Sequence, residues 1–229
     1  MRDLLYLHVH TPPEIKNGDK WFEQDEGDAR LAQDRQLIKT KYPNLKYGIN
    51  HRNKLVFLFG EIILKEVSSG IPTRISTQIL FPDEYPKIEP IAFETANLFE
   101  HIVDRHFYPG GICCLWLPPE SEWNSDDENA LLHFLDQVAV FFERQLIYDA
   151  MGGTVWAWGE RGHGRSGYIE YIQEKLNVSS EKLQIFLPLI SGKTNLEKKS
   201  RCPCGSSRPF QFCHLPTVVE LTAVAEFID

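Results

Sequence analysis

Cysteine is the residue of this chain best equipped for chemistry, and the five cysteines fall into two tight groups. Cys202 and Cys204 are followed by eight residues and then by Cys213-His214. Three thiolates and one imidazole make a closed tetrahedral set that suits Zn(II), and a site that fills all four positions is structural. Gly205-Ser206-Ser207 supply the turn that lets the two pairs meet. A chance crowding is the competing reading, but three of five cysteines and a histidine within thirteen residues speak against it. The other pair, Cys113-Cys114, stands in the stretch HFYPGGICCLWLPPESEW, residues 106–123. A reactive cysteine needs thiolate character and access, which a glycine-flanked loop near a histidine supplies. Neighbours in an extended chain point to opposite faces, so one of the two faces a site while the other packs inward. Taken alone, the pair also admits two buried thiols or a vicinal disulfide.

The elements that must position these groups are legible in outline. Residues 1–24, with Pro12-Pro13 and Asn17-Gly18, form a lead-in of loop composition. Leu31, Leu37 and Ile38 among charged residues predict an amphipathic helix from Asp28 to Lys41, ended by Tyr42-Pro43. Leu55–Leu64 reads as a strand. Thr73–Phe81 alternates, with Ile75, Thr77, Ile79 and Phe81 on one face and Arg74, Ser76, Gln78 and Leu80 on the other. Ser68-Ser69-Gly70 turns between them, so the pair is antiparallel. Three prolines make FPDEYPKIEP a rigid loop that feeds a short strand at Ile91–Phe93. Ser125 with Glu128 reads as a capping box opening a helix from Asp126 to Tyr148, whose stripe is Leu131, Leu132, Leu135, Val138, Phe142 and Leu146. Ser179 or Ser180 caps a further short helix, and residues 191–201 are a polar, basic linker.

Composition excludes several classes of function. The 229 residues carry 24 Lys and Arg against 32 Asp and Glu, a net charge of −8, which argues against wholesale nucleic-acid binding. Hydrophobic content of 42% is that of a globular protein able to bury a core without disulfide staples. No apolar run reaches the ~18 residues of a membrane span. The opening residues do not read as a signal peptide, so a cytoplasmic location and reduced or metal-bound cysteines are expected. Ser191-Gly192-Lys193-Thr194 imitates a phosphate loop, but Leu187 stands where its first glycine belongs. His8, His10, His51, His101 and His133 show no ligand spacing beyond His8-x-His10, and the helix charges Arg30, Arg35, Lys39 and Lys41 read as a solvated face.

Two resemblances sharpen this reading. RCPCGSSRPFQFCH, within residues 200–216, resembles the SEC-C motif, a small zinc-binding docking module. The resemblance implies a structural Zn(II) on Cys202, Cys204, Cys213 and His214, with Arg201, Arg208, Phe210 and Phe212 as its contact surface. The order of helix, antiparallel strands, proline-rich loop, cysteine loop, Trp and helix over residues 25–150 resembles the ubiquitin-conjugating enzymes. Their Phe-Pro-x-x-Tyr-Pro-x-x-x-Pro segment is met by Phe81, Pro82, Tyr85, Pro86 and Pro90. Their Gly-x-apolar-Cys-Leu stretch is met by Gly111-Ile112-Cys113-Cys114-Leu115, with Cys114 as the catalytic position and Cys113 as the rival register. The eukaryotic His-Pro-Asn triplet is absent. His106-Phe107-Tyr108-Pro109 stands there instead, as in the bacterial branch, and His106, Asn124 and backbone amides are the candidates for oxyanion donor. The glycine-rich Trp156–Gly167 segment fits that branch too, with no chemical role assigned to His163.

The resemblance implies an α+β ubiquitin-conjugating fold, an antiparallel meander sheet with flanking helices, followed by a small zinc knuckle. The expected divisions are a lead-in at 1–24, a conjugating-enzyme-like domain at 25–168, a helical linker at 169–200 and the zinc tail at 201–229. It also implies a bacterial antiphage protein of the short type II CBASS kind. Such a protein takes the C-terminal glycine of a cyclic-oligonucleotide synthase as a thioester and passes it to an amine on a protein, with no membrane and no direct nucleic acid involved. A non-catalytic adaptor of the same fold, and a cysteine hydrolase that removes a conjugate, are the alternatives.

Overall fold

The computed structural model describes residues 25–50, 55–64, 73–156 and 161–228. The readings made of residues 1–24, His51, Ser68-Ser69-Gly70 and Trp158 lie outside these. The chain divides into two compact units, 1–159 and 160–229. Both the helices after residue 164 and the cysteine tail belong to the second unit.

The first unit opens with α1 (Asp25–Lys41), three residues earlier than the apolar pattern suggested. Leu31, Asp34 and Ile38, spaced three and four apart, share its buried face. Strands β1 (Leu45–Asn50), β2 (Leu55–Leu64), β3 (Thr73–Phe81) and β4 (Ile91–Glu94) follow as an antiparallel meander. β2 and β3 have the expected bounds. Val56, Leu58, Ile62 and Leu64 of β2 share the core with Ile75, Ile79 and Phe81 of β3. Two short strands, β5 (Phe107–Tyr108) and β6 (Ile112–Cys113), extend the sheet beyond β4 in the order β1-β2-β3-β4-β6-β5. The long helix α2 (Ala130–Ala150) lays Leu131, Phe134, Leu135, Val138, Phe141 and Phe142 into the same core. This is the α+β order of helix, meander, proline loop, cysteine loop and helix that the sequence led us to expect.

Two details depart from the sequence reading. α2 begins at Ala130 instead of Asp126, and Ser125 and Glu128 do not cap it. The chain before it is taken up by two side-chain turns, with Asp126 N–H donating to Asn124 Oδ1 at 3.1 Å and Asn129 N–H to Asp127 Oδ1 at 2.9 Å. Short acidic and amide side chains compete with the helix in this way. The buried stripe of α2 also turns toward Phe134 and Phe141, leaving Leu132 and Leu146 half-buried.

The second unit packs α3 (Arg165–Leu176), α4 (Ser180–Ile190), α5 (Leu215–Leu221) and a closing 3-10 turn (Thr222–Phe227). Tyr168, Ile172, Leu176, Leu183, Phe186, Ile190, Phe210 and Leu221 are buried in it. Ser191-Gly192-Lys193-Thr194 folds back on the end of α4, with Ser191 N–H donating to Leu187 O at 3.0 Å. It is a helix terminus rather than a phosphate cradle. Among the described residues no helix is long and apolar enough to cross a membrane.

Candidate functional site

The cysteine loop is built on a tight turn. Gly111 N–H donates to Tyr108 O at 3.1 Å, Pro109 occupies the second position, and Gly110 the third with φ +83°. That is the conformation in which Pro and Gly are each preferred. Gly111 follows with φ +81°, and a Cβ there would lie 2.2 Å from Glu94 O. Only glycine lets β6 approach β4 this closely. Past the turn, Phe107 pairs with Cys113 and Tyr108 with Ile112. Side chains of paired residues share a face and alternate along each strand. Phe107 and Cys113 therefore point into the core, where Cys113 is 8% exposed, while His106, Tyr108 and Cys114 take the other face.

Cys114 is half-buried at a small cleft that Glu89, Pro90, Leu115, Trp116 and Phe134 also line. Its N–H donates to His106 O at 2.8 Å. The Tyr108 hydroxyl donates to its Sγ at 3.6 Å, and the Sγ lies 4.0 Å from Trp116 O. Burial pushes the Cys114 thiol up, against the lowering effect of the Tyr108 hydrogen bond. Burial pushes Cys113 well up. Of the candidate oxyanion donors, His106 meets Cys114 through its backbone carbonyl, and its ring stands edge-on to Trp156 at 5.6 Å. Asn124 is exposed and engaged in the turn before α2.

Three groups carry no functional signal in the sequence and meet at this loop. Glu89 accepts from Trp116 Nε1 at 3.0 Å and from the Ser121 hydroxyl. Burial pushes its carboxyl up, while both hydrogen bonds favour the charged form. Behind the loop, buried Glu94 is 2.7 Å from His101 Nε2, and its other oxygen accepts from Ala96 N–H at 2.7 Å. Its own N–H donates to Gly111 O at 2.8 Å, so the pair braces the cysteine loop. Tyr108 is the third, two residues before the glycine pair. No local pattern singles it out; the hairpin brings Tyr108 back beside the cysteines.

The proline motif anchors this region to the rest of the unit. Tyr85 donates its hydroxyl to the buried Asp34 carboxylate at 2.5 Å, and Arg30 Nε donates to the same group at 3.2 Å. Burial pushes the Asp34 carboxyl up, and these two partners oppose the shift. Trp123 Nε1 donates to Pro86 O at 2.8 Å and its ring lies 5.8 Å from that of Tyr85.

In the second unit the four expected ligands converge. One ligand atom each from Cys202, Cys204, Cys213 and His214 lies within 4.8 Å of the others. Cys204 and Cys213 sulfurs are 3.6 Å apart, and His214 Nδ1 is 3.2 Å from the sulfurs of Cys202 and Cys213. Tetrahedral Zn(II) with Zn–S near 2.3 Å has ligand–ligand edges of about 3.8 Å, so this set is close to a metal-holding geometry. His214 Nε2 lies 2.8 Å from Leu176 O. As a donor to that carbonyl it leaves the Nδ1 lone pair aimed at the sulfurs, as metal-binding histidines do when their other ring nitrogen bonds a backbone carbonyl. The donor set can hold a metal ion. Of the expected contact surface, Arg201, Arg208 and Phe212 are exposed, but Phe210 is 2% exposed and belongs to the core. Residues 202–205 and the 210–213 turn present the ligands, with Cys202 N–H donating to Arg208 O at 2.9 Å.

No protein-family model matches the chain, and no curated protein matches it. Among solved structures it is similar to the yeast vps23 UEV domain, solved in complex with a vps27 PSDP peptide. The similarity has 14% identity and a TM-score of 0.36, over 62% of this chain and 91% of that one.

Proposed function

We propose that this protein is a ubiquitin-conjugating-like acyl transferase that carries its cargo as a thioester on Cys114. The observation that carries the reading is the disposition of the adjacent cysteines. Cys113 turns toward the sheet core and is 8% exposed, whereas Cys114 is the more exposed of the two at the cleft that both line, on the loop that the conjugating-enzyme motif singles out. Transthiolation exchanges one thioester for another, and aminolysis needs an amine held near the carbonyl with its proton removed. Glu89, a carboxylate lining the same cleft, is placed to receive that proton. By the resemblance, the cargo is the C-terminal glycine of a CBASS-type cyclic-oligonucleotide synthase and the acceptor an amine on a protein. In the second unit, Zn(II) on Cys202, Cys204, Cys213 and His214 holds the tail folded as a docking module.

The test is intact mass, with and without thiol reductant, after co-expression with a CBASS-type cyclic-oligonucleotide synthase. A reductant-sensitive adduct that vanishes in Cys114→Ala and persists in Cys113→Ala is the expected result. One observation favours a second reading, a non-catalytic adaptor of the same fold: burial pushes the Cys114 thiol up, away from the thiolate character that reactive cysteines gain. Absence of any adduct, with the partners confirmed present, would establish that reading.

A further inference from the structure

Conjugating chemistry passes through a tetrahedral intermediate, and the loop lacks the asparagine that the eukaryotic family places before its cysteine. The position of a polar donor beside the sulfur therefore decides how the negative charge is held. Within the described residues the side-chain donor bonded to the Cys114 sulfur is the Tyr108 hydroxyl, 3.6 Å away. We infer that Tyr108 is a catalytic residue that donates its O–H first to the oxyanion and then to the departing thiolate of Cys114. The inference rests on the acyl-transfer reading above.

The placement follows from the fold. Tyr108 sits on β5, two residues before Gly110, and the type II turn returns the chain so that Tyr108 and Cys114 share the outward face. The phenol has only two side-chain torsions, and its strand is held at one end by Phe107 N–H donating to Ile102 O at 3.1 Å and at the other by the hairpin turn, which Glu94 N–H braces at Gly111 O. In a thioester the carbonyl oxygen lies roughly 2.7 Å from the sulfur, so a donor 3.6 Å from that sulfur can reach it. The step balances as follows. The amine lone pair forms a bond to the carbonyl carbon, and the C=O π pair moves onto oxygen, where the Tyr108 O–H receives it. The ammonium proton leaves to a base. The oxygen pair then re-forms C=O, the C–S bond breaks, and its pair departs on the Cys114 sulfur, to which Tyr108 now donates. The products are an amide and a thiolate that takes up the proton released.

The groups facing the sulfur are few. Glu89 lines the same cleft, Cys113 is the buried neighbour, His106 approaches through its carbonyl, and the Glu94–His101 pair lies behind Gly111. Tyr108→Phe keeps the ring and removes only the donor. Two measurements on the full chain separate the ideas. The first follows iodoacetamide alkylation of Cys114 against pH by mass spectrometry. Loss of the O–H should move the profile to higher pH, with unchanged circular dichroism and melting. The second loads Cys114 with the acetylglycine thioester of mercaptoethanesulfonate and follows discharge to free lysine. Discharge from Tyr108→Phe should be about 100- to 1000-fold slower, the range for one oxyanion donor. Superimposable alkylation profiles would overturn the inference, as would a shifted profile with unchanged discharge. Failure of wild type to load would instead overturn the acyl-transfer reading, and the alkylation profiles would still judge the hydrogen bond to Cys114.

Discussion

Cys113 and Cys114 differ by one place in the chain and by almost everything that sets the behaviour of a thiol. One touches Phe107 and the sheet core, and the other meets a hydroxyl and a cleft. Cys113→Ala should lower stability by about 1 kcal/mol, because it removes a buried sulfur. Cys114→Ala should stay within about 0.5 kcal/mol of wild type, which urea denaturation measures. Both thiols are pushed up by burial, so the folded state holds their protons more tightly than the unfolded chain does. Their contribution is complete below the ordinary thiol pKa of ~8.5 and is lost as pH rises toward the folded values. Melting followed from pH 8 to pH 10 should therefore fall more steeply in wild type than in Cys113→Ala. Equal slopes would mean that the sulfur is not desolvated as its surroundings indicate. At this scale the sequence displayed the alternation of the pair and the four metal-ligand candidates, since both depend on neighbouring positions. Tyr108, Glu89 and the Glu94–His101 brace were hidden because their contacts depend on how the loops fold back, which no periodic pattern displays.

At the scale of elements, the hairpin and the proline loop are held by contacts that a single atom can break. Gly111→Ala places a methyl group against Glu94 O and the His101 ring in a backbone region that disfavours side chains. We expect a loss of 2 kcal/mol or more and abolition of the thioester adduct, read by denaturation and by intact mass. A stable, active Gly111→Ala would show that the approach of β6 to β4 is looser than described. Tyr85→Phe leaves the buried Asp34 carboxylate one donor short and should cost about 1–3 kcal/mol. β3 was readable to the residue because its period-two pattern runs for nine residues, and β2 because its ten residues form a mostly apolar, β-branched and aromatic run. β5 and β6 have two residues each, too few to show a period, and in sequence they read as part of the cysteine loop. The start of α2 was misplaced because a capping-box pattern and two Asx turns draw on the same residue types, and the turns prevailed.

On the scale of the whole molecule, the two units rest on different physics. The first buries a large apolar core, whereas the second adds to a smaller apolar core four residues within a thirteen-residue segment that could hold a metal ion, and a metal held there would couple its binding to folding. Treatment with a strong chelator, or Cys204→Ser, should therefore melt helical signal from the second unit while the β-sheet signal of the first persists, as circular dichroism and hydrogen exchange would resolve. The sequence reading divides the chain at 25–168, 169–200 and 201–229, whereas the contacts divide it at 159/160, in a stretch without a periodic pattern. Segregation of the sulfurs also turns the chain into its own gauge. With metal held, a thiol reagent should count a single accessible sulfur, that of Cys114, because Cys113 is sealed and three others are bound. Chelation should raise the count to four, and full denaturation to five. A tube of Ellman's reagent thus distinguishes the intact molecule, one with an emptied tail and one with a lost core, by integers rather than by curves.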